Sequence, residues 1–99
     1  MSLTREQELA SKRELGEAMD LVGMDLKAVA DALSVSPELV EEALDLRGSV
    51  IENPWVLKEY LADQARAKGL VPVRFTALRG DYHDYCFLDA GVIDARVMR

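Results

Sequence analysis

The chain has 99 residues, of which 49% are hydrophobic, carries a formal charge of −6 and holds one cysteine, Cys86. A chain this long buries roughly 65% of its unfolded surface, so one domain over residues 1–99 is expected, without a disulfide or metal to staple it. No apolar run approaches the length of about 18 residues that a membrane span needs. The charged start Met-Ser-Leu-Thr-Arg-Glu-Gln-Glu is unlike a signal peptide, and a lone cysteine suits a reducing cytoplasm. Residues 1–15 balance three charges of each sign, residues 16–46 set eight acids against Lys27, and residues 47–99 carry eight bases and seven acids. The acid is concentrated in the middle of the chain.

Thr4-x-x-Gln7 is a capping-box signature that opens a first helix over about residues 5–22. Leu15, Ala18, Met19 and Val22 form its inner stripe, and Gly23 is a natural stop. Asp25 then caps a second helix over 26–33, where Leu26, Val29, Ala30 and Leu33 recur at i, i+3, i+4 and i+7. After a three-residue turn, Ser36 as N-cap, Pro37 at the first position and Glu38 in the first turn open a third helix over 37–46. Val40, Ala43 and Leu44 face inward, and Gly48 is its expected end. Asn53-Pro54 repeats the cap-then-proline start and opens a fourth helix over 54–68, striped by Leu57, Tyr60, Leu61 and Ala65 and stopped by Lys68-Gly69. Trp55 lies off that stripe. It either packs on the 47–53 connection or the tail, or stands out as an anchor for a partner.

Residues 70–99 have a different texture. Val71-Pro72-Val73-Arg74-Phe75 reads as extended, because proline restricts the residue before it. Four of the six aromatics, Phe75, Tyr82, Tyr85 and Phe87, fall within thirteen residues. Over Asp81–Asp89 the residues Tyr82, Tyr85 and Cys86 fit a helical face, while His83, Tyr85 and Phe87 fit an alternating strand. A short helix is expected there, with a small β-hairpin as the alternative. The predicted fold class is thus mainly α: a compact helical bundle with an aromatic-rich C-terminal segment.

In the second and third helices, Ala30, Ser34, Val35 and Val40 resemble the small packing residue, the turn residue and the two core plugs of a helix-turn-helix domain. The pattern as a whole resembles a small bacterial family of uncharacterised proteins, domain-of-unknown-function family 2316. The resemblance rests on Leu3-Thr4-x-Glu6-Gln7-Glu8, on Asn53-Pro54-Trp55-x-Leu57-x-x-Tyr60-Leu61, and on Phe75-Thr76-Ala77-Leu78-x-Gly80-Asp81-Tyr82-His83, completed by Phe87-Leu88-Asp89 and Ile93-Asp94. It implies a mainly helical bacterial protein with a helix-turn-helix-like core, and it brings no activity with it. Cys86 departs from the pattern, where a tryptophan is expected.

The charge on the third helix works against base reading. At about 100° per residue, Glu38, Glu41, Glu42 and Asp45 fall within an arc of about 100°, on the face that a recognition helix presents to the major groove. Carboxylates there meet phosphates with no counterion-release gain, and acidic side chains that read cytosine normally have basic neighbours to hold the backbone. An ordinary solvated face is the plainer reading.

The segment Asp81-Tyr82-His83-Asp84-Tyr85-Cys86 holds the only histidine. One nitrogen–sulfur pair falls short of the four ligands of a structural zinc site, and a Cys–His nucleophile pair would need an orienting third group. A helix capped by Asp81, with His83 partly buried, is the expectation. No catalytic or metal residue, no cofactor and no enzymatic activity is expected.

Two functions follow. One is a helix-turn-helix regulator that touches the DNA backbone through Lys12, Arg13, Arg74, Arg79, Arg96 and Arg99. The other is a protein-interaction or self-association module that works through Glu38, Glu41, Glu42, Asp45, Trp55, Tyr82 and Tyr85. A homodimer, DNA or another protein is the expected partner, with no membrane involved.

Overall fold

The structure, a computed structural model describing residues 3–99, contains five α-helices and, among the described residues, no strand. Each of the first three helices begins where a side chain takes up free N–H groups of the first turn. In α1 (Arg5–Val22) the Thr4 hydroxyl accepts from Gln7 N at 3.1 Å while the Gln7 side chain accepts from Thr4 N at 2.9 Å, a complete capping box. The Asp25 carboxylate caps α2 (Leu26–Leu33) and the Ser36 hydroxyl caps α3 (Pro37–Leu44), where Pro37 takes the first helical position and loses no bond there.

The helix ends share one device. The chain turns through a left-handed residue whose N–H, with that of the next residue, closes onto carbonyls of the last helical turn. That residue is Gly23 after α1 and Gly69 after α4 (Glu52–Ala67), as the glycine pattern predicts. After α2 it is Ser34 (φ 58°), after α3 Leu46 (φ 56°), and after α5 (Ala90–Asp94) Arg96 (φ 57°). Leu46 N donates to the Ala43 carbonyl and Arg47 N to the Glu42 carbonyl, so α3 ends at Leu44, not at 46 with Gly48 as its stop.

The fourth helix also departs from expectation. It starts at Glu52 behind Ile51, with no side-chain cap, so Asn53 does not cap a helix beginning at Pro54. The Asn53 amide is drawn elsewhere: it donates to the Arg99 main-chain oxygen at 3.0 Å and accepts from Arg99 N at 3.1 Å. A long-range pair of bonds replaces the local cap.

Packing centres on α4, which contacts α1, α3 and α5. Its Val56, Leu57 and Leu61 are fully buried with Leu15 of α1, Val29 and Ala30 of α2, Val40 of α3 and Ile93 of α5. At about 1.5–3 kcal/mol for each large apolar side chain removed from water, this layer supplies the main drive to fold. The same core takes in Phe75, Leu78, Tyr82, Leu88 and Met98 from the tail.

The tail has little regular structure of its own. No β-hairpin forms; the short helix expected within 81–89 is a single 3-10 turn, Tyr82–Asp84, and an α-helix follows at α5. Asp81 and Asp89 set these boundaries, since the first accepts from His83 N and the second from Val92 N. Polar side chains of α1 and α4 fasten the segment. Buried Glu14 takes Thr76 through both N (3.2 Å) and Oγ1 (2.9 Å), and buried Glu52 accepts from Asp89 N at 2.9 Å and the Arg99 guanidinium at 3.1 Å.

Candidate interaction site

The sequence places α3 with its apolar side inward, and the structure leaves the acidic side outward. Val40 and Ala43 are buried, Glu38 and Glu41 are exposed, and Glu42 and Asp45 are half-buried. Arg47, just past the helix, turns back onto this face: its guanidinium lies 3.1 Å from Asp45 and 3.8 Å from Glu41. The Glu42 carboxylate reaches the next turn, where a Cβ on Gly48 would stand 3.2 Å from its Oε2. Gly48, at φ 95°, holds a backbone shape that disfavours any side chain, so the carboxylate keeps that space.

Gly48 and Arg47 also border an open cleft of about 260 Å³. Four separate stretches build it: Leu3 and Glu8, the 46–51 connection, Pro54 and Trp55 of α4, and the tail from Ala77 to Leu88. Its walls are mainly apolar, and of its large apolar lining residues Ile51 and Phe87 are exposed. Within it Trp55 is 7% exposed, its ring 5.6 Å from that of Tyr85 at 52° and 6.4 Å from that of Tyr82, with the Lys58 ammonium 5.1 Å above it. Such tilted aromatic pairs add about 0.5–1.5 kcal/mol to simple burial. Trp55 therefore packs on the tail as a cleft wall and does not protrude as an anchor.

Two other predicted site residues change role. Tyr82 is buried, and its hydroxyl donates to Asp94, so it is no exposed contact residue. Burial and that carboxylate raise its pKa. Tyr85 is half-buried and donates to the Arg79 carbonyl at 2.9 Å, which fixes its ring in the cleft wall.

His83 is exposed, not partly buried. Its Nδ1 lies 2.6 Å from Asp81 Oδ1, its Nε2 lies 2.9 Å from both oxygens of Asp94, and its ring stacks on Tyr82 at 4.3 Å. The bonds to Asp94 and then Asp81 raise its pKa. Asp81 is lowered chiefly by the His83 main-chain N–H, and Asp94 chiefly by the Tyr82 hydroxyl and then by His83. With both ring nitrogens facing carboxylates, His83 ties the 3-10 turn to α5 and is not oriented toward the Cys86 thiol.

The basic residues expected on a DNA backbone take divergent roles. Arg96 is held on α4 by Asp63 at 2.8 Å, a bond that raises its already high pKa, and Arg99 is held by Glu52 at 3.1 Å. Arg13 lies along α1 with Glu14 and Glu17 at 3.7 and 3.5 Å. Among the described residues, Lys12, Arg74 and Arg79 are exposed without an ion pair. Sequence reasoning reached the acidic face but missed the cleft, whose walls lie too far apart in the chain for any periodicity to connect.

No helix of the described residues is long and apolar enough to cross a membrane. The family described as "Uncharacterized protein conserved in bacteria (DUF2316)" matches residues 1–89, and the chain belongs to it. Comparison with curated proteins and with solved structures found no match.

Proposed function

As a member of this uncharacterised bacterial family, we propose, the protein is a non-enzymatic interaction module on a helix-turn-helix-like frame, with an α3 that does not read bases. The frame is supported by buried Ala30 and Val40 and by the left-handed Ser34 in a three-residue turn. One observation carries the function: the outward face of α3 is Glu38, Glu41, Glu42 and Asp45, and Arg47, the cation that pairs with it among the described residues, is bound back onto two of those acids. Like charges at about 4 Å repel by about 1 kcal/mol even in bulk water, so the face opposes a phosphate backbone. The polar clusters built on Glu14, Glu52, Asn53 and Asp63 hold the tail in place, which gives them a structural task.

A second reading, DNA contact from outside α3, draws on the stretch between Asp63 and Asp81. That stretch contains no acid and contributes Arg66, Lys68, Arg74 and Arg79. Fluorescence anisotropy on random and selected duplexes across a salt series decides between the two. No sequence-specific binding is expected from the natural chain. Replacing Glu38, Glu41 and Glu42 with glutamine should at most strengthen all duplexes alike, by relieving repulsion. Loss of discrimination at particular base pairs, about 1–3 kcal/mol each, would show that α3 reads bases and overturn the proposal.

A further inference from the structure

The cleft adjoins the acidic face through Arg47 and Gly48, and the chain also carries a loop that is apolar and basic. We propose that the cleft receives the loop after α4 of a second copy of this chain, with Val71 on the apolar walls and Lys68 and Arg74 against the adjoining acidic face. This rests on the interaction-module reading above and names the partner.

The size of the cleft restricts its occupant. At about 260 Å³ it falls below the roughly 300–1,000 Å³ of sites that enclose a whole small molecule, and it suits one or two side chains. Val71 is 86% exposed, the most exposed of the large apolar residues described, and Leu70 beside it is 39% exposed. Adjacent apolar side chains on one tip form a knob, unlike the scattered exposed residues of an ordinary surface.

Charge selects the same pair. Residues 68–74 hold Lys68 and Arg74 and no acid, while Arg66 of α4 is paired with Asp63 at 3.6 Å. The cleft lining carries Glu8 and Arg47, and Arg47 is already bound to Asp45 and Glu41 of the adjoining acidic face, while Lys58 beside Trp55 is paired with Glu59. A basic knob therefore meets the acidic face that borders the cleft, which steers encounter and fixes register.

The loop is also held ready. Leu70 N donates to the Ala65 carbonyl at 2.8 Å, Pro72 restricts its own φ, and on the far side buried Phe75 and the Thr76–Glu14 bonds pin the chain. A segment fixed at both ends loses little freedom on binding. It cannot serve its own cleft: the loop leaves the C-terminal end of α4, while Pro54 and Trp55 line the cleft near the N-terminal end, and the helical steps from there to Ala67 put about 18–20 Å between them. The contact joins two different patches, so copies associate head to tail.

Sedimentation equilibrium of the full chain from micromolar to millimolar concentration tests this. The average mass should climb above the 11.0 kDa of one chain and climb less at high salt. Val71→Glu and Ile51→Lys, both at exposed positions, should each stay at the mass of one chain. Mixed together they should recover association, since one keeps an intact cleft and the other an intact loop. A natural chain that stays at one-chain mass at millimolar concentration, or variants that associate as it does, would overturn the proposal. A synthetic peptide of residues 66–74 supplies a readout free of any variant: Trp55, the sole tryptophan, should shift its emission as the peptide fills the cleft, and an unmoved spectrum at millimolar peptide counts against it. These results are separate from the duplex measurement. Failure here with no duplex binding removes the second copy as occupant, whereas base-specific duplex binding removes the module reading itself.

Discussion

Residues 25–46 and residues 70–99 pack into the same core by opposite means. The first stretch is two eight-residue helices whose caps, stripes and turn all lie within a few positions of one another. The second has one 3-10 turn and one five-residue helix, and it is held by side chains reaching from elsewhere: Glu14 to Thr76, Glu52 to Asp89 and Arg99, Asn53 to Arg99, Asp63 to Arg96. A helix satisfies its own backbone; an irregular segment must borrow partners, and unpaired buried groups cost more than paired ones gain. The difference teaches where each region is vulnerable. The helical pair fails when its core loses volume, and the tail fails when a single polar anchor is removed.

The sharpest break should come at Glu52. Glu52→Ala strips the Asp89 N–H and the half-exposed Arg99 guanidinium of their acceptor, and since water can reach both donors each loss costs about 0.5–1.5 kcal/mol. Urea unfolding should show the destabilisation, with amide exchange in residues 85–99 rising more than in α2 and α3. Uniform loss of protection across both regions would mean that the tail is not a separately anchored unit.

That asymmetry also marks what the sequence made legible. The limits of α1 and α2 agree with the structure because Thr4, Gln7, Gly23 and Asp25 act within a turn of where they stand. The end of α3 was hidden, since a leucine in the left-handed region has no sequence signature. The start of α4 was misread because the ordinary cap, Asn53, is recruited by a residue 46 positions away. The acidic face was readable from spacing alone. The cleft was not, because it exists only once Leu3, Gly48, Trp55 and Phe87 have been brought together.

A smaller and opposite effect is expected in the helical pair. Ser34 holds φ 58° between α2 and α3, a conformation that costs a residue with a Cβ about 1–2 kcal/mol. Ser34→Gly should therefore raise the urea midpoint by about 1 kcal/mol of stability, with no change in the tail's exchange. A fall in stability would show that the serine side chain contributes more to the turn than its backbone strain takes away.

The smallest effect concerns His83, which sits between Asp81 and Asp94 on the surface. Its pKa is raised in the folded chain, so its contribution is complete below the ordinary histidine value of about 6.5 and disappears as pH climbs through the folded value. The two carboxylates are lowered, so their contribution is present above the ordinary value near 4 and is lost as pH falls through their folded values. Stability from this trio should be greatest between those limits. Denaturation from pH 4 to 8 should show the natural chain losing stability relative to His83→Gln as pH passes above about 6.5. Parallel curves for the two proteins would show that the histidine is not charged in its place between the aspartates.

The left-handed residue at the end of α3 sets evolution a choice that its counterparts do not. At Ser34 a glycine would ease the backbone with little else to lose. At Leu46 the same change would ease the backbone by a similar amount while removing a half-buried side chain that both packs against the core and walls the cleft. A library of random variants screened for heat resistance should therefore accept glycine at 34 and resist it at 46, and one screened for association should do the same. Leucine stands at so unsuitable a backbone angle because its side chain covers apolar surface that glycine would leave bare.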